Sequence, residues 1–207
     1  MALRFVIFDM DDVLCHYDLG KRLRALSRLS GKTPRDIRAA IWDSGFEDAA
    51  DSGAYPTVEA YLAGFGERLG YRISQEEWIA ARRVAMEPWR EVLDLAAAIS
   101  CTHETLIYTN NGPLLKPALP ELFPEAHGIF GERTFCSFEF GTKKPDPRSF
   151  ELLLQRLGAA PSEAWFIDDK KSNVEGARLA GLDASQFVSF EKLRAEAVAR
   201  DLPAGPS

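Results

Sequence analysis

The stretch that decides the fold is Phe5-Val6-Ile7-Phe8-Asp9-Met10-Asp11-Asp12-Val13-Leu14. It opens as an unbroken apolar run and ends in three carboxylates. An apolar run without alternation marks a strand buried on both faces, as in the middle of a parallel sheet. Acids crowded at its carboxyl end oppose folding. Like charges at contact repel by roughly 1 kcal/mol in water and about 4 kcal/mol near a protein surface. A cation is therefore expected beside them, either a metal ion or basic side chains. Open α/β sheets bind ligands at the carboxyl ends of their strands, so the acids stand where chemistry is expected.

Downstream of this stretch the chain first turns helical and then alternates. Over 17–87, Leu19, Leu23, Leu26 and Leu29 recur at helical spacing, and Ile37, Ala40 and Ile41 continue the pattern. Thr33 and Pro34 mark a helix start, Thr57 another, and Ser74 with Glu77 form a capping-box pattern. No strand is read in this segment. From Pro88 onward the pattern predicts helices over 88–100, 114–122, 147–157, 172–180 and 190–200. Strands are predicted over 105–109, 134–138, 164–167 and 186–188, and a loose tail over 203–207. The expected fold is a Rossmann-like, doubly wound parallel sheet with an inserted α-helical lobe. Residues 1–16 and 88–207 form the α/β core and 17–87 the insertion. The first strand should be central, with the second and fourth beside it.

Composition narrows the function. A formal net charge of −6 and a pI near 5.2 argue against partners that are nucleic acids or membrane surfaces. Cys15, Cys101 and Cys136 are odd in number and far apart, as for reduced thiols. Without a signal-type or bilayer-spanning run, a cytoplasmic protein is expected.

Polar groups gather where the apolar runs stop: Asp9, Asp11 and Asp12 after the first strand, Thr109 and Asn110 after the second, Asp168 and Asp169 after the fourth. Lys144 lies in the loop Gly141-Thr142-Lys143-Lys144-Pro145-Asp146-Pro147, since Pro145 disfavours helix at the residue before it. A parallel sheet brings these ends to one edge. The set suits phosphoryl transfer through an aspartyl phosphate. Mg2+ prefers oxygen ligands; the side chains of Asp9 and Asp169 and the carbonyl of Asp11 can supply them. Thr109, Asn110 and Lys144 can hold phosphate oxygens. Asp11 can protonate the leaving oxygen and then activate water. Asp168 reads equally as a metal ligand or as a group orienting Lys144 or Asp169. Candidate substrate contacts are His16, Trp42, Asp43 and Phe46.

The four clusters resemble, in order, the four motifs of the haloacid dehalogenase-like (HAD) hydrolases: Asp9-Met10-Asp11; Thr109 after Leu106-Ile107-Tyr108; Lys144-Pro145; and Asp168-Asp169 with Asn173-Val174-Glu175-Gly176-Ala177. The resemblance implies that Asp9 is the nucleophile, Asp11 the general acid/base, and 17–87 a C1-type cap. The double Asp is similar to that of small C1-capped sugar-phosphate phosphatases, the alpha-glucose-1-phosphate phosphatase-like group among them, and of the phosphatase domain of soluble epoxide hydrolases. Two residues depart from the commoner pattern: Asp12 stands where Gly is usual, and Asp168 where Gly often precedes the metal Asp. The implied function is a Mg2+-dependent phosphomonoester hydrolase acting on a small phosphorylated metabolite, preferably a sugar phosphate, as a monomer or homodimer. The competing readings are a 2-haloacid dehalogenase, against which Asp11 argues, a phosphomutase, and a non-catalytic binding module.

Overall fold

The computed structural model describes residues 3–205. In chain order the strand β1 (Phe5–Phe8) leads to a short β2 (Cys15–Tyr17), then to helices α1 (Leu19–Ser30), α2 (Pro34–Ile41), α3 (Phe46–Asp51), α4 (Val58–Leu69) and α5 (Gln75–Arg83), and back through β3 (Met86–Pro88). The remainder alternates: α6 (Arg90–Ser100), β4 (Glu104–Thr109), α7 (Leu115–Leu122), α8 (Pro124–Phe130), β5 (Thr134–Cys136), α9 (Pro147–Leu157), β6 (Ala164–Asp168), α10 (Lys171–Leu179), β7 (Asp183–Gln186) and α11 (Phe190–Val198).

The main sheet is parallel with the order β5-β4-β1-β6-β7. The apolar start of the decisive stretch is its central strand, as expected. Val6 and Phe8 pack into one apolar cluster, Phe5 and Ile7 into another on the opposite face. The cluster containing Phe8 continues through Leu26, Ile41, Phe65 and Trp78, so one face of the sheet shares its core with the inserted helices. The chain leaves β1 toward β4 on one side and β6 toward β7 on the other. The gap between β1 and β6 is thus the topological switch point, the usual place for a ligand crevice.

The helix starts behave as their sequences dictate. The Thr33 and Thr57 hydroxyls accept from the N–H groups of Asp36 and Ala60, and Ser74 and Glu77 complete a capping box. Four expectations need correction. The insertion is not purely helical, because β2 and β3 pair antiparallel at its two ends; three residues each are too few for periodicity to show. Helix α8 had no counterpart in the sequence reading. The strand expected over 134–138 stops at Cys136, whose N–H donates to Glu139 and turns the chain into a 3-10 helix. The last strand lies earlier than 186–188, as an edge strand of polar sequence, Asp-Ala-Ser-Gln, with no apolar signal. Of the expected tail, Pro206 and Ser207 lie outside the described residues.

Candidate active site

The parallel ladder continues one residue past β1, since the Asp9 N–H donates to the Ile167 carbonyl at 2.8 Å. The pairing of Phe8 with both Ile107 and Ile167 sets Asp9 beside Tyr108 and Asp168. Lys144 fills the space between them. Its Nζ lies 2.9 Å from Asp9 Oδ1 and 2.6 Å from Asp168 Oδ2, and donates to the Tyr108 carbonyl at 3.0 Å. All three ammonium donors are thereby engaged. Lys144 is 1% exposed. Burial alone would favour the neutral amine, but Asp168 and Asp9 hold it charged, above the usual lysine range. Burial pushes the Asp9 carboxyl up to about 7, against the pull of Lys144.

The two acids after β6 have different surroundings. Asp168 is fully buried and accepts from Lys144 Nζ, from the Lys170 N–H at 2.8 Å, and from Asn173 Nδ2 at 3.0 Å on each oxygen. Those contacts fill the about four lone-pair sites of a carboxylate. Asp169 is the reverse case. Its Oδ1 is buried and has no hydrogen-bond partner among the described residues, while burial and Asp168 raise its pKa. Carboxylate oxygens of Asp9, Asp168 and Asp169 lie within 4.8 Å of one another. A buried, orphaned carboxylate oxygen inside an acid cluster is the arrangement that a hard, oxygen-seeking dication completes.

The loops after β4 and before α9 are tied together by Asn110. Its Nδ2 donates to the Lys144 carbonyl at 2.8 Å and its Oδ1 accepts from the Lys144 N–H at 3.0 Å. The amide expected to hold phosphate therefore fixes the lysine loop first, with one N–H remaining. Thr109 Oγ1 accepts from Asn111 Nδ2 at 2.9 Å, and its own proton has no acceptor among the described residues.

Asp11 and Asp12 stand on the turn after β1. Asp12 has φ +61°, in the left-handed region where Gly is easiest and Asp is tolerated. Its side chain accepts from the Tyr17 N–H at 3.0 Å, which gives the residue a turn-closing role. Asp11 is gripped by a residue from the insertion: Arg82 Nη2 donates to its two oxygens at 2.8 and 3.1 Å.

Comparisons with known proteins agree with this geometry. The family model described as haloacid dehalogenase-like hydrolase matches residues 3–181. The chain belongs to the haloacid dehalogenase-like hydrolases. Among its HAD relatives, "Phosphatase MT3486" of Mycobacterium tuberculosis is 27% identical over 218 residues, covering 98% of this chain and 94% of that protein. A D-ribitol-5-phosphate phosphatase of Bacteroides thetaiotaomicron is 21% identical and covers 89% of this chain and 91% of its own. A HAD family enzyme of the same organism, solved with magnesium and inorganic phosphate, superposes with a TM-score of 0.75 at 20% identity, covering 93% of this chain and 99% of its own. Named phosphatases are thus among its relatives within the HAD family.

A polar cavity of about 160 Å³ adjoins this HAD site, walled by Asp11, Asn110 and Asn111 on one side and by residues of the insertion on the other. Of the candidate substrate contacts only Trp42 lines it. Asp43 is exposed and pairs with Arg38 at 3.3 Å. Phe46 packs among Tyr55, Tyr61 and Phe65. His16 stacks on Trp89 at 4.1 Å in the β2–β3 ribbon. The residues that sequence reasoning missed are Arg22, Glu47 and Arg82, all in the cavity wall. A signal existed for the arginines. Arg22 shares a helical stripe with Leu26 and Leu29, and Arg82 one with Trp78 and Ile79; a cation on an apolar stripe is buried with a task.

Proposed function

We propose that this protein is a magnesium-dependent phosphomonoester hydrolase that acts on a small sugar phosphate through a phosphoaspartate on Asp9. The observation that carries this reading is the buried, unpartnered oxygen of Asp169 in one carboxylate cluster with Asp9, whose other neighbour is Lys144 at 2.9 Å. The Asp9 carboxylate attacks phosphorus as the ester P–O bond breaks, and Asp11 gives the leaving oxygen its proton. Water then attacks phosphorus of the phosphoaspartate, Asp11 takes the proton, and inorganic phosphate leaves with Asp9 restored. Lys144, held by Asp168, offsets the charge of Asp9 throughout, and the free hydroxyl proton of Thr109 is available to a phosphoryl oxygen. The side chains of Asp9 and Asp169 with the Asp11 carbonyl would hold magnesium, which when bound supplies charge neutralisation between nucleophile and phosphate. Asp168, its oxygens already occupied, positions Lys144.

In the same reading, residues 17–87 are the cap, β2 and β3 its hinge, and Arg82 the contact by which a closed cap fixes the orientation of Asp11. The Bacteroides relative named for D-ribitol 5-phosphate supports a small polyhydroxylated substrate. The test is hydrolysis of p-nitrophenyl phosphate. Turnover should require Mg2+, vanish with EDTA and return on adding the ion. Undiminished turnover in EDTA, or release of chloride from 2-chloropropionate in place of phosphate release, would overturn the proposal.

A further inference from the structure

The cavity beside Asp11 contains a charged group that the reaction above does not use. Arg22, on α1, is 2% exposed. Its Nη1 donates to the Tyr17 hydroxyl at 3.2 Å, but its Nε and Nη2 have no hydrogen-bond partner among the described residues. Its guanidinium lies against Trp78 and Trp42, with ring centroids at 4.7 and 5.3 Å. The nearest carboxylate oxygen, Glu47 Oε1, is 3.9 Å from Nη2, close enough for attraction but beyond a hydrogen bond. Glu47 is turned toward Tyr61, whose hydroxyl donates to both its oxygens at 3.1 Å.

A guanidinium cannot lose its charge, so its buried, unpartnered donors call for an acceptor. The choice of acceptor follows from the neighbours. A ligand carboxylate or second phosphate would bring an anion against Glu47, with Asp51 on the same wall. Burial and Glu47 hold the Asp51 carboxyl well above the usual carboxylate range, so this wall already resists more negative charge. A hydroxyl meets no such objection. Its oxygen accepts from Arg22 and its proton goes to Glu47, so it satisfies both partners at once. The Trp42 and Trp78 rings supply apolar faces for the carbon chain.

We propose that Arg22 and Glu47 form a hydroxyl-reading pair that sets specificity for phosphate esters carrying a polyol chain. The cavity is of the size that takes about a six-heavy-atom group, so the chemical class is an ester of a short polyol or small sugar, with its hydroxyls toward Arg22 and its phosphate toward Asp9. The proposal rests on the phosphatase reading for its kinetic arm only.

Three esters of equal carbon chain length test it: erythritol 4-phosphate, n-butyl phosphate and 4-phosphooxybutanoate. The readout is the ratio of kcat/KM for the first over each of the others. Hydrogen bonds to charged groups are worth enough to make the preference over n-butyl phosphate roughly tenfold to hundredfold. Glu47→Gln keeps the shape but weakens the acceptor, and Arg22→Lys keeps the charge but loses the fork. Each should reduce the preference about tenfold or more. Should Arg22→Lys fail to fold, Glu47→Gln carries the test. Equal rates on erythritol and n-butyl esters, or a preference for 4-phosphooxybutanoate, would overturn the pair's role. Calorimetric titration of the same esters into the Asp9→Asn protein gives a second arm that does not depend on turnover. If no ester is hydrolysed but erythritol 4-phosphate still binds at least tenfold tighter than n-butyl phosphate, the phosphatase reading falls and the hydroxyl-reading site stands. If all three bind alike, or none binds, the site falls.

Discussion

At the scale of single residues, the two acids of the first motif sit in surroundings that suit the different tasks proposed for them. Asp9 is buried against Lys144, while Asp11 faces the cavity and Arg82. Asp9→Asn removes the proposed nucleophile, so no acid-stable phosphoenzyme should form and turnover should fall to background on every ester. Asp11→Asn retains the backbone carbonyl and loses the proposed proton carrier, a role typically worth about 10²–10⁴-fold. Its loss should be largest for alkyl esters, whose leaving oxygen needs the proton. Acid-quenched labelling with an activated phosphoryl donor separates the two variants; label on Asp9→Asn would refute the assignment. Asp169 offers an independent check through stability. Its pKa is raised from 3.8 on folding, so the folded state binds the proton more tightly than the unfolded chain. The resulting destabilisation is absent below about pH 4 and grows as pH rises through the folded pKa. At pH 8 without metal, Asp169→Asn should therefore raise Tm. The same substitution should abolish the gain in Tm that Mg2+ gives the wild type. A variant that still gains Tm with Mg2+ would take Asp169 out of the ligand set.

Among the elements, the packing of α10 on the lysine loop is the tightest constraint near the site. A Cβ added at Gly176 would lie 2.0 Å from the Pro145 carbonyl oxygen and 2.8 Å from its carbon. Both are backbone atoms, so Gly176→Ala must part α10 from the loop that carries Lys144, and displacement of the loop would carry Lys144 away from Asp9. The expected loss is about 1–3 kcal/mol by urea denaturation, typical of overpacking, together with a lower kcat. Unchanged stability would mean that the helix moves instead. This explains why a motif containing Gly176 was readable in the sequence: the glycine answers to a backbone contact, as the strand acids answer to the sheet edge. The central strands β1, β4 and β6 were readable because both faces of each are buried, which leaves a non-alternating apolar run in the middle of each. The caps at Thr33, Thr57 and Ser74 were readable because they act within one turn. Strands β2 and β3 were not, being three residues each and specified by their pairing. Edge strand β7 was displaced because its outer side requires no apolar residue. Trp42 could be anticipated in the cavity wall, but Asp43 and Phe46 could not be told from it without knowing the rotation of α2 and α3 against α4.

For the whole molecule, the issue is how the insertion meets the rest of the chain. It shares an apolar core with one sheet face, and its polar contacts reach the two sides of the site. Arg82 holds Asp11, the Ser137 hydroxyl donates to the Asp51 carbonyl at 2.7 Å, and Lys143 pairs with Asp48. In the proposed cycle the cap must open for substrate, and these contacts must break and reform together. The Arg82 contact differs from the others because it ends on Asp11, the proposed general acid. Arg82→Met should lower kcat for alkyl esters about 10-fold or more, as misplacing a catalytic group does, and act less on p-nitrophenyl phosphate, whose leaving oxygen needs little help. The contacts on the other side should affect closure alone. A hydrogen bond of Ser137 is worth about 1 kcal/mol and the exposed Lys143–Asp48 pair about 0–1 kcal/mol. The double variant Ser137→Ala, Lys143→Ala should therefore shift the closed population by about tenfold. Its KM for a polyol phosphate should rise by about that factor, because the cavity wall supplied by the insertion must close around the ester. Phosphoenzyme formation from acetyl phosphate, too small to reach Arg22, should fall less. Hydrogen exchange supplies the direct readout: Mg2+ with inorganic phosphate should slow exchange over 15–17 and 86–88 in the wild type and do so less in the double variant. Equal KM values and equal protection in the two proteins would show that the insertion is fixed in place, and that substrate enters without its movement.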